Sequence, residues 1–95
     1  MFNNIGLMPK DKGDERRAKW QANNMNTVIK PGDYVKKTFT QKKMSEHMWV
    51  EVISVDGEDI VGTLDNDPMF ITNVKSGQVI KMRFSQIADH IPHAD

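Results

Sequence analysis

His47-Met48-Trp49-Val50-Glu51-Val52-Ile53-Ser54-Val55-Asp56-Gly57-Glu58-Asp59-Ile60-Val61-Gly62-Thr63-Leu64 is the stretch on which the fold turns. Its first half is rich in β-branched and aromatic side chains, which fit a pleated, half-buried surface. Asp56-Gly57 is a hairpin signal, because a two-residue loop of the I′ type needs positive φ at both positions. With those two residues as the loop, Ile53 faces Ile60, Glu51 faces Gly62, Trp49 faces Leu64 and His47 faces Asn66. A loop at Gly57-Glu58 instead sets Glu51 against Leu64 and Trp49 against Asn66. The first register pairs apolar with apolar and is preferred.

Both faces of such a hairpin are apolar, so it needs more sheet on one side and a covering element on the other. Its flanks provide both. Tyr34–Thr40 and Gln78–Phe84 read as strands, Gln41–Ser45 as a polar connection, and Ser85–Ile91 as a turn with a short closing strand ended by Pro92. Pro31-Gly32, Asp65-Asn66-Asp67-Pro68 and Asn73–Gly77 break the chain between them. Residues 13–25 read as a short helix, with Asp14 as its cap, Glu15 in the first turn and Asn23-Asn24 at its end. Ala18, Ala22 and Met25 share one face of it, and Trp20 lies nearly opposite, beside Arg16 and Arg17. The fold class that follows is α+β: an N-terminal helix packed on a small bent antiparallel sheet or half-open barrel of about five strands. Residues 1–12 read as a flexible arm and 13–95 as a single α+β domain.

Ninety-five residues amount to one domain. The absence of cysteine excludes a disulfide scaffold, a thiol nucleophile and Cys-ligated zinc or iron–sulfur. No apolar run approaches the ~18 residues of a membrane span, and the first residues lack the basic region of a secretory signal. The expected location is therefore cytoplasmic, with no membrane partner. Thirteen basic and thirteen acidic side chains cancel, but unevenly. Residues 1–43 hold ten Lys/Arg against four Asp/Glu, and residues 44–95 hold three against nine. Either a basic arm serves an anionic partner, or the positive half folds back on the negative one.

Two clusters are candidate sites. At the open end of the hairpin the preferred register gathers Glu46, His47, Asn66 and Asp67 beside Trp49, a polar rim able to hold a small ligand. Lys10, Lys12, Arg16, Arg17 and Lys19 surround Trp20, which could stack a base while the cations meet phosphates; Lys36, Lys37, Lys42, Lys43, Lys81 and Arg83 extend that surface. His90 and His93, with Asp89 and Asp95, read as solvated tail residues rather than metal ligands. No metal site and no cofactor are expected.

Glu46-His47-Met48-Trp49-Val50, Gly62-Thr63-Leu64-Asp65-Asn66-Asp67-Pro68, Val74-Lys75-Ser76-Gly77-Gln78-Val79 and Ile87-Ala88-Asp89 together resemble the YegJ-like bacterial family of unknown function, which also occurs beside ankyrin repeats. The similarity covers roughly residues 34–90, and Glu-His-x-Trp-Val is its most specific element. The family usually continues the last motif with tryptophan, where His90 stands here. The resemblance implies a small α+β domain of bacterial or mobile-element origin, phage included, and no activity. The functional expectation is a non-catalytic binding module for a protein partner or a small anionic ligand. A second reading is nucleic-acid binding through the Trp20 helix, and a third is a small enzyme using His47 with neighbouring carboxylates. The oligomeric state is not legible.

Overall fold

The computed structural model describes residues 7–94. Its elements are β1 (Leu7–Pro9), α1 (Lys10–Asn23), β2 (Tyr34–Gln41), β3 (Met44–Asp56), β4 (Asp59–Leu64), β5 (Val79–Arg83) and β6 (Ile87–Ile91). All strand pairs are antiparallel. The sheet runs β5-β4-β3-β2-β6, with β1 added to the start of β3. β5 and β6 are left as edges, so the sheet is bent but not closed into a barrel. This is the α+β arrangement read from the sequence.

β3 is the long central strand, and its two faces do different work, because successive side chains point to opposite sides of a sheet. Met48, Val50 and Val52 face the core, where they meet Val35 and Phe39 of β2, Ile60 and Leu64 of β4, and Ile80 and Met82 of β5. Ile29, Ile71 and Ile87 complete that cluster from the surrounding segments. Ser45, His47 and Trp49 face the other way, and all three are buried as well. α1 covers Ser45 and His47, whereas farther along the strand Glu51 and Ile53 are exposed, Ile53 at 53%. The two-sided burial expected of the hairpin therefore belongs to its open end, not to its tip.

The register of the hairpin differs from the preferred one. The loop is Gly57-Glu58, with Asp56 opposite Asp59, Val55 opposite Ile60 and Ser54 opposite Val61. A bulge at Ile53 then shifts the pairing, so that Val52 meets Gly62, Glu51 meets Thr63 and Val50 meets Leu64. Gly57 alone takes positive φ, 61°, as a II′ loop requires of its first residue, whereas a I′ loop at Asp56-Gly57 would need two such residues. The bulge returns the apolar residues to the core face by absorbing one position. The connection expected over Gln41–Ser45 is also tighter: only Lys42 and Lys43 form the loop, with Gln41 opposite Met44.

α1 begins at Lys10, immediately after Pro9, so Asp14 is not its cap but lies inside it, 3.2 Å from Arg17. Its end is where the sequence placed it. The Asn23 and Asn24 side-chain amides donate to the Lys19 and Trp20 carbonyls, satisfying acceptors that the helix end leaves open. The docked face is not the Ala18/Ala22/Met25 stripe, which is exposed, with Met25 at 76%. Contact is made by Gly13, Trp20 and Gln21. Gly13 is buried against Ser45, Thr38 and His47, where a Cβ would fall 2.6 Å from Ser45 Oγ and 2.9 Å from Thr38 Cγ2. Trp20 packs on the core and on Phe84, ring centroids 5.8 Å apart. Gln21 donates to the Phe84 and Ile87 carbonyls at 2.7 and 2.9 Å. One indole buries more apolar surface than two alanines, and this decides which way the helix turns. Of the expected 1–12 arm, residues 7–9 form β1 and 10–12 open α1, while residues 1–6 lie outside the described residues.

Candidate functional site

The site lies where α1 crosses β2, β3 and β6, around a cavity of about 380 Å³. α1 contributes Arg16, Lys19, Trp20 and Asn23, whose spacings of three and four place them on one side of a helix. From the sheet come Lys36 of β2 and His47 of β3, with Ala88 and Asp89 of β6 at the border. Lys36 stands opposite Asp89, and the next pair is Lys37 with Ile87, so Ala88 is a bulge residue. That bulge re-aims the β6 side chains toward the cavity.

His47 is 2% exposed, and among the described residues its Nε2 has no hydrogen-bond partner. Burial pushes the imidazole down to about 4, Lys36 and Arg16 and, least, Arg17 push the same way, and the Gly13 backbone opposes them without reversing the shift. The ring is therefore neutral at ordinary pH. Thr38, the cross-strand partner of His47, has a buried Oγ1 that is likewise unpartnered among the described residues. His47 shares the cavity lining with three cations, Arg16, Lys19 and Lys36. Lys36 is held 4.7 Å above the Trp49 ring, and burial lowers its pKa, with Arg16 adding to the effect and Asp89 opposing it. The ion pairs among the described residues are elsewhere: Lys12–Glu15, Arg17–Asp14, Arg83 with Glu58 and Asp59, and His90–Asp33. None of them engages Arg16, Lys19 or Lys36. The arrangement is a cationic pocket with an uncharged imidazole at its floor and an indole in its wall.

The two sequence-predicted clusters are thus redistributed. His47 joins Arg16, Lys19 and Trp20, while Glu46 points to the opposite face of β3. The fully buried Glu46 carboxylate accepts from the backbone N–H groups of Met69, Phe70 and Ile71 at 3.0–3.3 Å, and so pins the β4–β5 loop. Asn66 is also inside, its Oδ1 accepting from the Trp49 N–H and prolonging the β3–β4 ladder past Leu64. Asp67 is exposed, Arg17 is tied to Asp14, and Trp49 serves as the platform for Lys36 without lining the cavity. The rim expected at the hairpin's open end is consequently not one pocket. His90 is no solvated tail residue either: β6 pairs with β2, and His90 Nε2 lies 2.9 Å from the buried Asp33 carboxylate. The Asp33 pKa is lowered although burial opposes it, because His90 and the His93 and Lys30 N–H groups all stabilise the carboxylate. Asn23, Ala88 and Gly13 are the site residues that sequence reasoning missed. Lys36 was legible only as part of a basic surface, although strand alternation already set Lys36 and Thr38 on one face.

The family's sequence profile, described as "Uncharacterized protein conserved in bacteria (DUF2314)", matches residues 15–94, a span that takes in α1 from Glu15 onward and strands β2 to β6. The chain belongs to this family. Among curated proteins it is similar to the "Uncharacterized protein YegJ" of Escherichia coli K12, 33% identical over 55 residues, which are 58% of this chain and 36% of that protein. It is also similar to the "Putative ankyrin repeat protein NMB1133/NMB1171" of Neisseria meningitidis serogroup B, 38% identical over 47 residues, 50% of this chain and 19% of that one. The chain thus spans well under two-thirds of the length of these relatives. No solved structure matches the chain. Glu-His-x-Trp-Val, the element that carries the resemblance, is split by the strand: Glu46 latches a loop, and His47 and Trp49 build the pocket side. No helix among the described residues is long and apolar enough to cross a membrane.

Proposed function

We propose that this domain is a non-catalytic binding module whose pocket under α1 holds the anionic group of a small ligand. The observation that carries this reading is that His47, whose buried Nε2 is unpartnered, lines one cavity with Arg16, Lys19 and Lys36, none of which engages a carboxylate in an ion pair among the described residues. A buried polar atom without a partner is unfavourable by ~1–3 kcal/mol, and an acceptor placed there recovers it. Clustered cations repel one another, and an anion relieves that as well. The lining offers amines, a guanidinium, an amide, an indole, an imidazole and one carboxylate, but no hydroxyl or thiol to act as nucleophile, which favours binding over chemistry. Nucleic-acid stacking on Trp20 has less support, since its ring is half-buried and tilted at 50° against Phe84.

Thermal unfolding against a panel of small anions tests the reading. An anion at 100 times its Kd stabilises by ~2.7 kcal/mol, and in a domain of this size that raises Tm by roughly 10–20 °C. The shift is lost in Arg16→Ala with Lys36→Met, two changes that spare the core. A panel in which no anion moves Tm would overturn the proposal, as would a shift that survives both substitutions.

A further inference from the structure

We infer that the group this pocket takes is a doubly charged oxyanion of the phosphomonoester class, and that His47 receives it as an uncharged N–H donor. The inference rests on the anion-binding reading above and narrows it. Three cations, Arg16, Lys19 and Lys36, face one carboxylate, Asp89, so the lining carries a formal charge of +2. The other cations nearby are directed elsewhere: Arg17 pairs with Asp14, and Lys37, next to Lys36 in β2, points to the opposite face of the sheet, over the Phe39 ring. A dianion neutralises the lining, whereas a carboxylate leaves it one charge short.

Donor geometry points the same way. The cations come from two elements, Arg16 and Lys19 from the helix and Lys36 from β2, and His47 of β3 belongs to the same lining. A tetrahedral group offers three free oxygens to such a surrounding set, while a planar carboxylate offers two in one plane. Arg16 can engage two oxygens at once, and Lys19 and Lys36 act as point charges. Burial is the largest cause that keeps His47 neutral, and it persists when an anion offsets the cations. Nε2 then contributes a directed N–H without adding a fourth positive charge. The cavity, about 380 Å³, is larger than one phosphate, and Trp20 supplies an apolar wall for whatever the phosphate is attached to.

Methyl phosphate and methyl sulfate give a size-matched test, because at pH 7 the first is mostly a dianion and the second a monoanion. Isothermal titration at low ionic strength is expected to show methyl phosphate binding at least tenfold more tightly, with inorganic sulfate close to methyl phosphate. ¹⁵N spectra of the protein saturated with sulfate at pH 7 are expected to keep the His47 ring in its neutral Nε2–H form. His47→Gln, which keeps an uncharged N–H donor, is expected to bind within about threefold of the parent, and His47→Leu at least tenfold more weakly. Equal binding of methyl phosphate and methyl sulfate overturns the dianion assignment. Imidazolium shifts in the sulfate-bound protein overturn the neutral donor, and this reading needs no variant to fold. Absence of binding by every anion overturns the pocket assignment itself, a result distinct from the other two.

Discussion

Replacing Gly13 by alanine sets two effects of known size against each other. Glycine inside a helix is worse than alanine by ~1 kcal/mol, so on helix propensity alone the substitution stabilises. Gly13, however, is the point at which α1 rests on the sheet. The added Cβ would sit 2.6 Å from Ser45 Oγ and 2.9 Å from Thr38 Cγ2, each more than 0.5 Å inside ordinary contact. Ser45 is fully buried, and Thr38 is β-branched with a stiff χ1, so neither can simply turn away. Overpacking a well-filled site costs ~1–3 kcal/mol, and the helix must lift by several tenths of an ångström. The net expectation is a loss of ~1 kcal/mol, read as a fall in the urea midpoint by roughly 0.5–1 M at unchanged m, or 4–8 °C in Tm. Ala18→Gly on the exposed face serves as the control, losing ~1 kcal/mol through propensity alone. In a Thr38→Ser background, which removes Cγ2, part of the Gly13→Ala penalty should disappear. A Gly13→Ala protein as stable as the parent, or more so, would refute the contact and with it the depth at which His47 is buried.

Three further outcomes are expected. Because His47 stays neutral down to about pH 4 when folded but titrates near 6.5 when unfolded, protons favour the unfolded chain as pH falls from 6.5 to 4, and stability should drop by up to ~3 kcal/mol across that window. Denaturation of His47→Gln should show a shallower slope there, and parallel slopes would sink the assignment; Asp33, with its lowered pKa, contributes stability that is lost only below pH 3.8. Glu46→Ala leaves the Met69, Phe70 and Ile71 N–H groups unpaired, and a loss of ~3 kcal/mol with faster amide exchange over residues 69–71 is expected; exchange like the parent's would show the latch to be idle. Lys42 holds φ 58° in a two-residue loop, so Lys42→Gly should stabilise by ~0.5–1 kcal/mol in the same urea assay, and destabilisation would contradict the strained turn.

How far the sequence could be read depended on the kind of signal. The long apolar β3, the strands around it and the end of α1 at Asn23-Asn24 were legible, because periodicity and side-chain chemistry act locally. The bulge at Ile53 was not, since the apolar pattern reads the same with one residue absorbed. The Lys42-Lys43 loop was hidden because neither residue is a turn former, and Lys42 enters the left-handed region without glycine's freedom. The docked helix face was not legible from the alanines, because the contact is made by Gly13, which has no side chain, and by Trp20, which has the largest. Glu46 and His47, grouped in one rim by the hairpin register, are neighbours in a strand and point to opposite faces of the sheet. Once they are separated, the basic helix and the histidine belong to one site. What no pattern could supply is that α1 lies over His47, because helix placement is a tertiary matter.

The order in which the fold can assemble bears on the pocket. β2, β3, β4 and β5 follow one another as a meander whose partners are near in sequence, and such pairings close quickly. The contacts that hold α1 to the far side of the domain run from Gln21 to the Phe84 and Ile87 carbonyls, 63 and 66 positions away. Joining such distant segments carries a larger loop-closure entropy, so they are slow to meet. The pocket walls, Arg16 to Asn23 on one side and Ala88 with Asp89 on the other, belong to those segments, and only Lys36 and His47 stand on the meander. The proposed binding surface is therefore the last part of the molecule to be completed, and an occupant would act as a clasp between remote stretches of chain.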